Sequence, residues 1–212
     1  MFNDIRLIAQ SAIRIVTNDN KIIYFDPYEL GNTFSNDADY IFITHTHYDH
    51  LSVEDILKIK KDSTIIIGPK DIFDKVNDLF NIDMIMLVNP NNNYKCDGIV
   101  FDTVPSYNIN KSFHKKEFDW VGYIASIDGI KIYVAGDTDN ISDIQNIKCD
   151  VACVPVGGTY TMDREGAVEL IKCIKPKVAI PIHYKTIVGT VEDAYYFKNK
   201  LDGIVDVKIL ME

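Results

Sequence analysis

The sequence predicts a mixed α/β fold, a four-layer αββα sandwich carried by a single domain over residues 1–212. Three observations predict it. Apolar, β-branched runs come in the order meander, βα units, meander, βα units, and too many of them lack an intervening helix for a doubly wound sheet. At 212 residues, with 47% hydrophobic and 25% charged side chains, the chain suffices for one well-buried core and is short for two. No low-complexity linker or clear internal repeat marks a boundary.

The opening meander covers Ile5–Ala9, Ala12–Val16 and Lys21–Phe25, with alternation in Ile13-Arg14-Ile15 and a turn at Asn18-Asp19-Asn20. Pro27 stops this ladder and is expected to hold Asp26 in extended backbone at the sheet edge. After a polar loop over residues 28–37, Asp39–Ile43 reads as a short buried strand. Ser52, with Asp55 three residues on, caps a helix containing Ile56, Leu57 and Ile59. Thr64–Ile67 is a strand turned by Gly68-Pro69, and Asp71–Phe80 a second amphipathic helix. Met84–Val88 and Gly98–Val104 are strands around an Asn/Pro turn at residues 89–93. Residues 109–119 have no clear period and read as a functional loop, with a basic island of Lys111, His114, Lys115 and Lys116. Val121–Ile127 and Ile130–Val134 form a hairpin about Asp128-Gly129. The last third alternates Val151–Val156, a helix over Asp163–Ile174, Val178–Ile182, a helix over Thr190–Leu201 and Val205–Leu210.

Charge narrows the functions. With 22 basic and 31 acidic residues the net charge is −9, which repels polyanions and argues against a nucleic-acid partner. The N-terminus lacks a charged region followed by an apolar run, and no stretch approaches a membrane span, so a cytoplasmic protein without membrane contact is expected. Cys96, Cys149, Cys153 and Cys173 show no close pairing and read as buried small hydrophobes in a reducing compartment.

Three of the five histidines fall in Thr44-His45-Thr46-His47-Tyr48-Asp49-His50, directly after the Asp39–Ile43 strand. Extended backbone there would line His45, His47 and Asp49 along one face and turn His50 to the other, so that one loop serves two metal ions. Histidines at this spacing have no packing rationale. Imidazole and carboxylate without a nearby thiolate suit Zn, Mn or Fe.

This His-x-His-x-Asp-His motif resembles the signature of the metallo-β-lactamase fold superfamily. Phe25-Asp26-Pro27, Ala135-Gly136-Asp137-Thr138 and Pro181-Ile182-His183-Tyr184 follow that superfamily's order, so the resemblance covers nearly the whole chain. Val154-Pro155-Val156-Gly157-Gly158-Thr159-Tyr160-Thr161-Met162 is similar to the small metal-dependent hydrolases related to L-ascorbate-6-phosphate lactonase. The resemblance implies two divalent ions, Zn first with Mn or Fe as alternatives. His45 and His47 would hold the first, Asp49, His50 and His183 the second, and Asp137 would bridge them. Asp49 would also be catalytic, orienting the attacking water, and Asp26 would sit behind a ligand histidine. One position departs from the pattern. Asn108 stands where most relatives place a third histidine for the first metal, which leaves His114, the only histidine remaining, to complete that site. In the alternative, Asn108 offers a weak oxygen ligand and His114 contacts substrate.

The expected function is hydrolysis, by a metal-bound hydroxide, of a small anionic lactone, ester or phosphodiester. Asn108, Lys111, Tyr160 and Lys185 are the candidate substrate contacts. An RNA-processing nuclease of the same superfamily is opposed by the acidic charge, and a diiron redox enzyme by His47, where that branch characteristically carries glutamate. A non-catalytic metal-dependent sensor is the remaining alternative. The oligomeric state stays open, a homo-oligomer included.

Overall fold

Runs of β-branched and aromatic residues form thirteen strands among the described residues, 5–211 of the computed structural model. These fall into two units, one ending at Asn89 and the other beginning at Pro90, each built on one sheet. Among the described residues no helix is long and apolar enough to cross a membrane.

The first unit's sheet keeps sequence order: β1 (Ile5–Leu7), β2 (Ile13–Val16), β3 (Ile22–Phe25), β4 (Ala38–Phe42), β5 (Lys60–Pro69) and β6 (Ile85–Val88). The first three strands pair antiparallel and the rest parallel. Tyr24, Phe25, Ile41 and Phe42 are fully buried in the central strands, as expected where a parallel sheet is covered on both faces. Helices α1 (Val53–Ile59) and α2 (Phe73–Val76) make the crossovers, and Ile56, Ile59, Ile72 and Val76 join Tyr24, Ile41 and Ile66 in one core. Ser52 caps α1 by accepting from Asp55 N–H at 3.3 Å. Asp55 in turn accepts from Glu29 N–H at 2.9 Å, which ties the loop after β3 to the helix.

Three expectations change in this unit. Gly68-Pro69 is no turn: the two residues pair with Leu87 and Val88, and a Cβ at Gly68 would press on the side chains of Ile72 and Ile43. The second helix is cut to a 3₁₀ turn, Lys70–Ile72, and the four residues of α2, since Leu79 and Phe80 both close onto the Val76 carbonyl around the poor helix formers Asn77 and Asp78. Asp26 is neither extended nor at the sheet edge. It has φ +46° and follows β3, which lies between β2 and β4.

The second unit's sheet runs β7 (Asn93–Cys96), β8 (Ile99–Pro105), β9 (Val121–Ile127), β10 (Ile130–Val134), β11 (Val151–Pro155), β12 (Val178–Ile182) and β13 (Asp206–Val207). Pairing is antiparallel through β10 and parallel beyond it. Helix α3 (Arg164–Ile174), capped by Asp163, joins β11 to β12, and α4 (Val191–Lys200), with a Thr190/Asp193 capping box, leads to β13. Strand β7 escaped the sequence reading because its Asn-Tyr-Lys-Cys lacks apolar alternation; it pairs through an Asp97-Gly98 turn with positive φ at both residues. The expected strand over 205–210 shrinks to β13.

The cysteines need correction. Cys96 and Cys153 are buried, but Cys149 is half-buried and Cys173 exposed, because α3 turns Val168, Leu170, Ile171 and Ile174 inward and leaves position 173 outside. Iodoacetamide should therefore modify Cys173 in the native protein well before Cys96 or Cys153, which should react only on unfolding. Peptide mass mapping against time checks this order.

Candidate metal centre

In the first unit the ladder ends when Ile43 N–H reaches Ile67 O at 2.8 Å. The next donors turn to Asp26: Thr44 N–H reaches Oδ1 at 2.8 Å and Thr44 Oγ1 donates to Oδ2 at 2.7 Å. The chain then coils, with His50 and Leu51 N–H both closing on the His47 carbonyl at 3.0 and 2.8 Å. The extended loop of the sequence reading is thus replaced by a turn, and His50 comes back toward its neighbours. Its ring lies 4.0 Å from that of His45, and its Nε2 lies 3.5 Å from Asp49 Oδ2. His45 Nε2 is 3.1 Å from His47 Nδ1. His45, Asp49 and His50 are buried and His47 is half-buried.

Asp26 decides how His50 presents itself. Its Oδ2 is 2.7 Å from His50 Nδ1, so the imidazole proton sits on Nδ1 and the Nε2 lone pair is left for another partner. Burial pushes the Asp26 carboxyl above the ordinary carboxylate range, and His50 and Thr44 oppose that shift. A residue the sequence reading did not single out completes this half: Gln10 Nε2 donates to Asp49 Oδ2 at 3.1 Å. The available signal was a tight Ala-Gln-Ser-Ala turn without Gly, Pro, Asn or Asp.

In the second unit, Ala135 and Gly136, the latter with φ +65°, carry the chain off β10 to Asp137. Asp137 is 3% exposed, and its Oδ2 lies 3.1 Å from both His114 Nε2 and His183 Nε2. His183 follows β12 with φ +56°. Gly157 makes room for it, since any Cβ at 157 would collide with the His183 carbonyl oxygen; this is what the Gly-Gly pair after β11 provides.

His114 is buried, has φ +55° and packs its ring 5.5 Å from that of Trp120. Asn108 holds its loop. Its N–H donates to the His114 carbonyl at 2.7 Å, and its Nδ2 reaches Tyr160 O at 2.6 Å, Phe113 O at 3.1 Å and His114 Nδ1 at 3.2 Å. Lys111 is paired with Asp139, and Lys116 Nζ lies 3.2 Å from Tyr107 Oη. Tyr160 is half-buried and packs edge-on against Phe113 at 4.9 Å, whereas Lys185 is exposed.

Each unit therefore gathers its own donors. His45 with His47, Asp49 with His50, and Asp137 with His183 each bring ligand atoms within 4.8 Å of one another. The donors are imidazole and carboxylate, a set that fits Zn, Mn or Fe.

Comparison with known proteins sets this chain among similar ones. Residues 4–183 match the Beta-lactamase superfamily domain. A UPF0173 metal-dependent hydrolase from Thermoplasma volcanium is 31% identical over 216 residues, covering 92% of this chain and 91% of that protein. A proposed metal-dependent hydrolase of known structure from Parabacteroides distasonis has a TM-score of 0.83 at 29% identity, over 98% of this chain and 93% of that one. The metallo hydrolase Igni18 from Ignicoccus hospitalis has a TM-score of 0.80 at 27% identity, over 98% and 94%.

Proposed function

This chain belongs to the UPF0173 metal-dependent hydrolase family of the metallo-β-lactamase superfamily and has that superfamily's mixed α/β fold, and from that premise we propose that it is a binuclear metal-dependent hydrolase of a small molecule. The observation that carries the reading is one buried carboxylate oxygen, Asp137 Oδ2, with two imidazole nitrogens each 3.1 Å away. Imidazole and carboxylate converging on one buried point are the ligand types a divalent cation takes.

In this reading residues 1–212 act as a single hydrolase domain. His45, His47 and His114 would hold a first metal and Asp49, His50 and His183 a second, with Asp137 as a ligand they would share. Such a pair supplies a water of lowered pKa and a Lewis acid for the attacked carbonyl or phosphoryl oxygen. The rest falls to the chain's own groups. Asp26 holds His50 in the tautomer that leaves Nε2 unprotonated, and Asp49 would orient the attacking water and accept its proton. Asn108, whose Nδ2 donates to the Phe113 and Tyr160 carbonyls, supports itself as the clip that places the loop and His114 as the ligand.

The substrate is a small anionic lactone, ester or phosphodiester, and the resemblance to L-ascorbate-6-phosphate lactonase puts lactones first on the panel. Lys185, exposed and two residues after His183, is a candidate contact for an anionic group, while Lys111 is engaged by Asp139. The net charge of −9 opposes an RNA substrate. We place the protein in the cytoplasm on its cysteine usage.

Protein purified without chelator should contain up to two divalent ions per chain and turn over at least one member of a lactone, ester and phosphodiester panel. Chelator should abolish that turnover, and Zn or Mn should restore it. Metal-loaded, folded protein inert toward the whole panel would favour the sensor.

A further inference from the structure

Hairpin tips normally expose small or turn-forming residues. At the tip between β1 and β2, Gln10 and Ser11 are both 0% exposed. Ile8 N–H to Ala12 O at 2.8 Å and Ala12 N–H to Ala9 O at 2.7 Å close the turn. Gln10 has φ +49° without being the glycine or asparagine that adopts left-handed backbone at low cost. Its side chain reaches a residue thirty-nine positions along, donating from Nε2 to Asp49 Oδ2 at 3.1 Å. The amide orientation follows from chemistry, since the amide oxygen would face a carboxylate oxygen with no proton between them. Gln10 Oε1 and Ser11 Oγ are buried with no hydrogen-bond partner among the described residues. Backbone and burial both run against folding alone, and what the Gln10 side chain gains among the described residues is the hydrogen bond to Asp49.

We infer that Gln10 is a positioning residue that fixes the Asp49 carboxylate beside His50 for metal binding. The inference rests on Asp49 being a ligand, as proposed above. A carboxylate held before the ion arrives loses less freedom on binding, and hydrogen-bond partners behind metal ligands typically carry about 10- to 100-fold in affinity.

Two variants test it. Gln10→Met keeps the length and removes the donor. Gln10→Asn tolerates the positive φ but is too short to reach Asp49, so it separates the hydrogen bond from the backbone requirement. For both, zinc dissociation constants are measured by chelator competition, with the visible spectrum of the Co²⁺ form and the thermal midpoint of the metal-free form alongside. Zinc affinity should fall about 10- to 100-fold in each, with an altered Co²⁺ spectrum, while Gln10→Asn keeps or raises the metal-free midpoint. In an Asp49→Ala background Gln10→Met should cause no further loss, because the two side chains act as one unit. Wild-type zinc affinity and Co²⁺ spectrum in Gln10→Asn, or additive losses in the double variant, would overturn the inference while leaving the metal centre standing. Wild-type protein that binds neither zinc nor cobalt would overturn both.

Discussion

Asp137→Ala is expected to lose at least one metal ion per chain and to lower kcat/KM by about 10³-fold or more, equivalent to about 4 kcal/mol of transition-state stabilisation. Its Oδ2 is the atom that both His114 Nε2 and His183 Nε2 approach at 3.1 Å, so alanine removes the proposed bridge and leaves two imidazoles without their anionic neighbour. The fold should survive. Local structure uses the Asp137 backbone, whose carbonyl accepts from Ser106 Oγ at 3.1 Å, and the adjacent Thr138, whose Oγ1 donates to Tyr107 O at 3.0 Å. His114→Ala removes a single ligand and should weaken metal binding less. Metal content by mass spectrometry, with kcat/KM on the same preparation, checks the order; full metal content and activity in Asp137→Ala would sink the ligand assignment.

Asp26→Ala should give the largest loss of stability, about 3 kcal/mol or more by urea denaturation of the metal-free protein. Three donors in a fully buried position lose their acceptor together: Thr44 N–H, Thr44 Oγ1 and His50 Nδ1, at 2.8, 2.7 and 2.7 Å. Each buried group left unpaired costs about 1–3 kcal/mol, and relaxation of the loop recovers part of the sum. Once His50 is no longer held by Nδ1, metal affinity should fall as well, by about 10- to 100-fold. Asp26→Asn keeps an acceptor but sets an amide against one of these donors, so it should fall between wild type and alanine. A variant as stable as wild type would mean that water or a neighbouring group satisfies these donors without Asp26.

Local chemistry made much of this protein legible from its amino acids. The β9–β10 hairpin announces itself through two apolar runs around Asp128-Gly129, β12 through an uninterrupted apolar run, and α1, α3 and α4 through capping residues that act within one turn. Three histidines in six residues likewise flag metal chemistry without knowledge of the fold. Tertiary structure alone decided how those residues are aimed. The coil after Thr44 returns His50 to His45 because Asp26, eighteen residues upstream and in left-handed backbone, takes up the Thr44 donors. Gln10 meets Asp49 across thirty-nine residues, Asn108 meets the Tyr160 carbonyl across fifty-two, and Asp139 claims the Lys111 charge that the sequence offered to a substrate. Spacing along the chain reports what a residue can do within a turn or a strand. Which partner it finds depends on contacts far apart in sequence, where the energy lies in burial and hydrogen-bond geometry that no local pattern encodes.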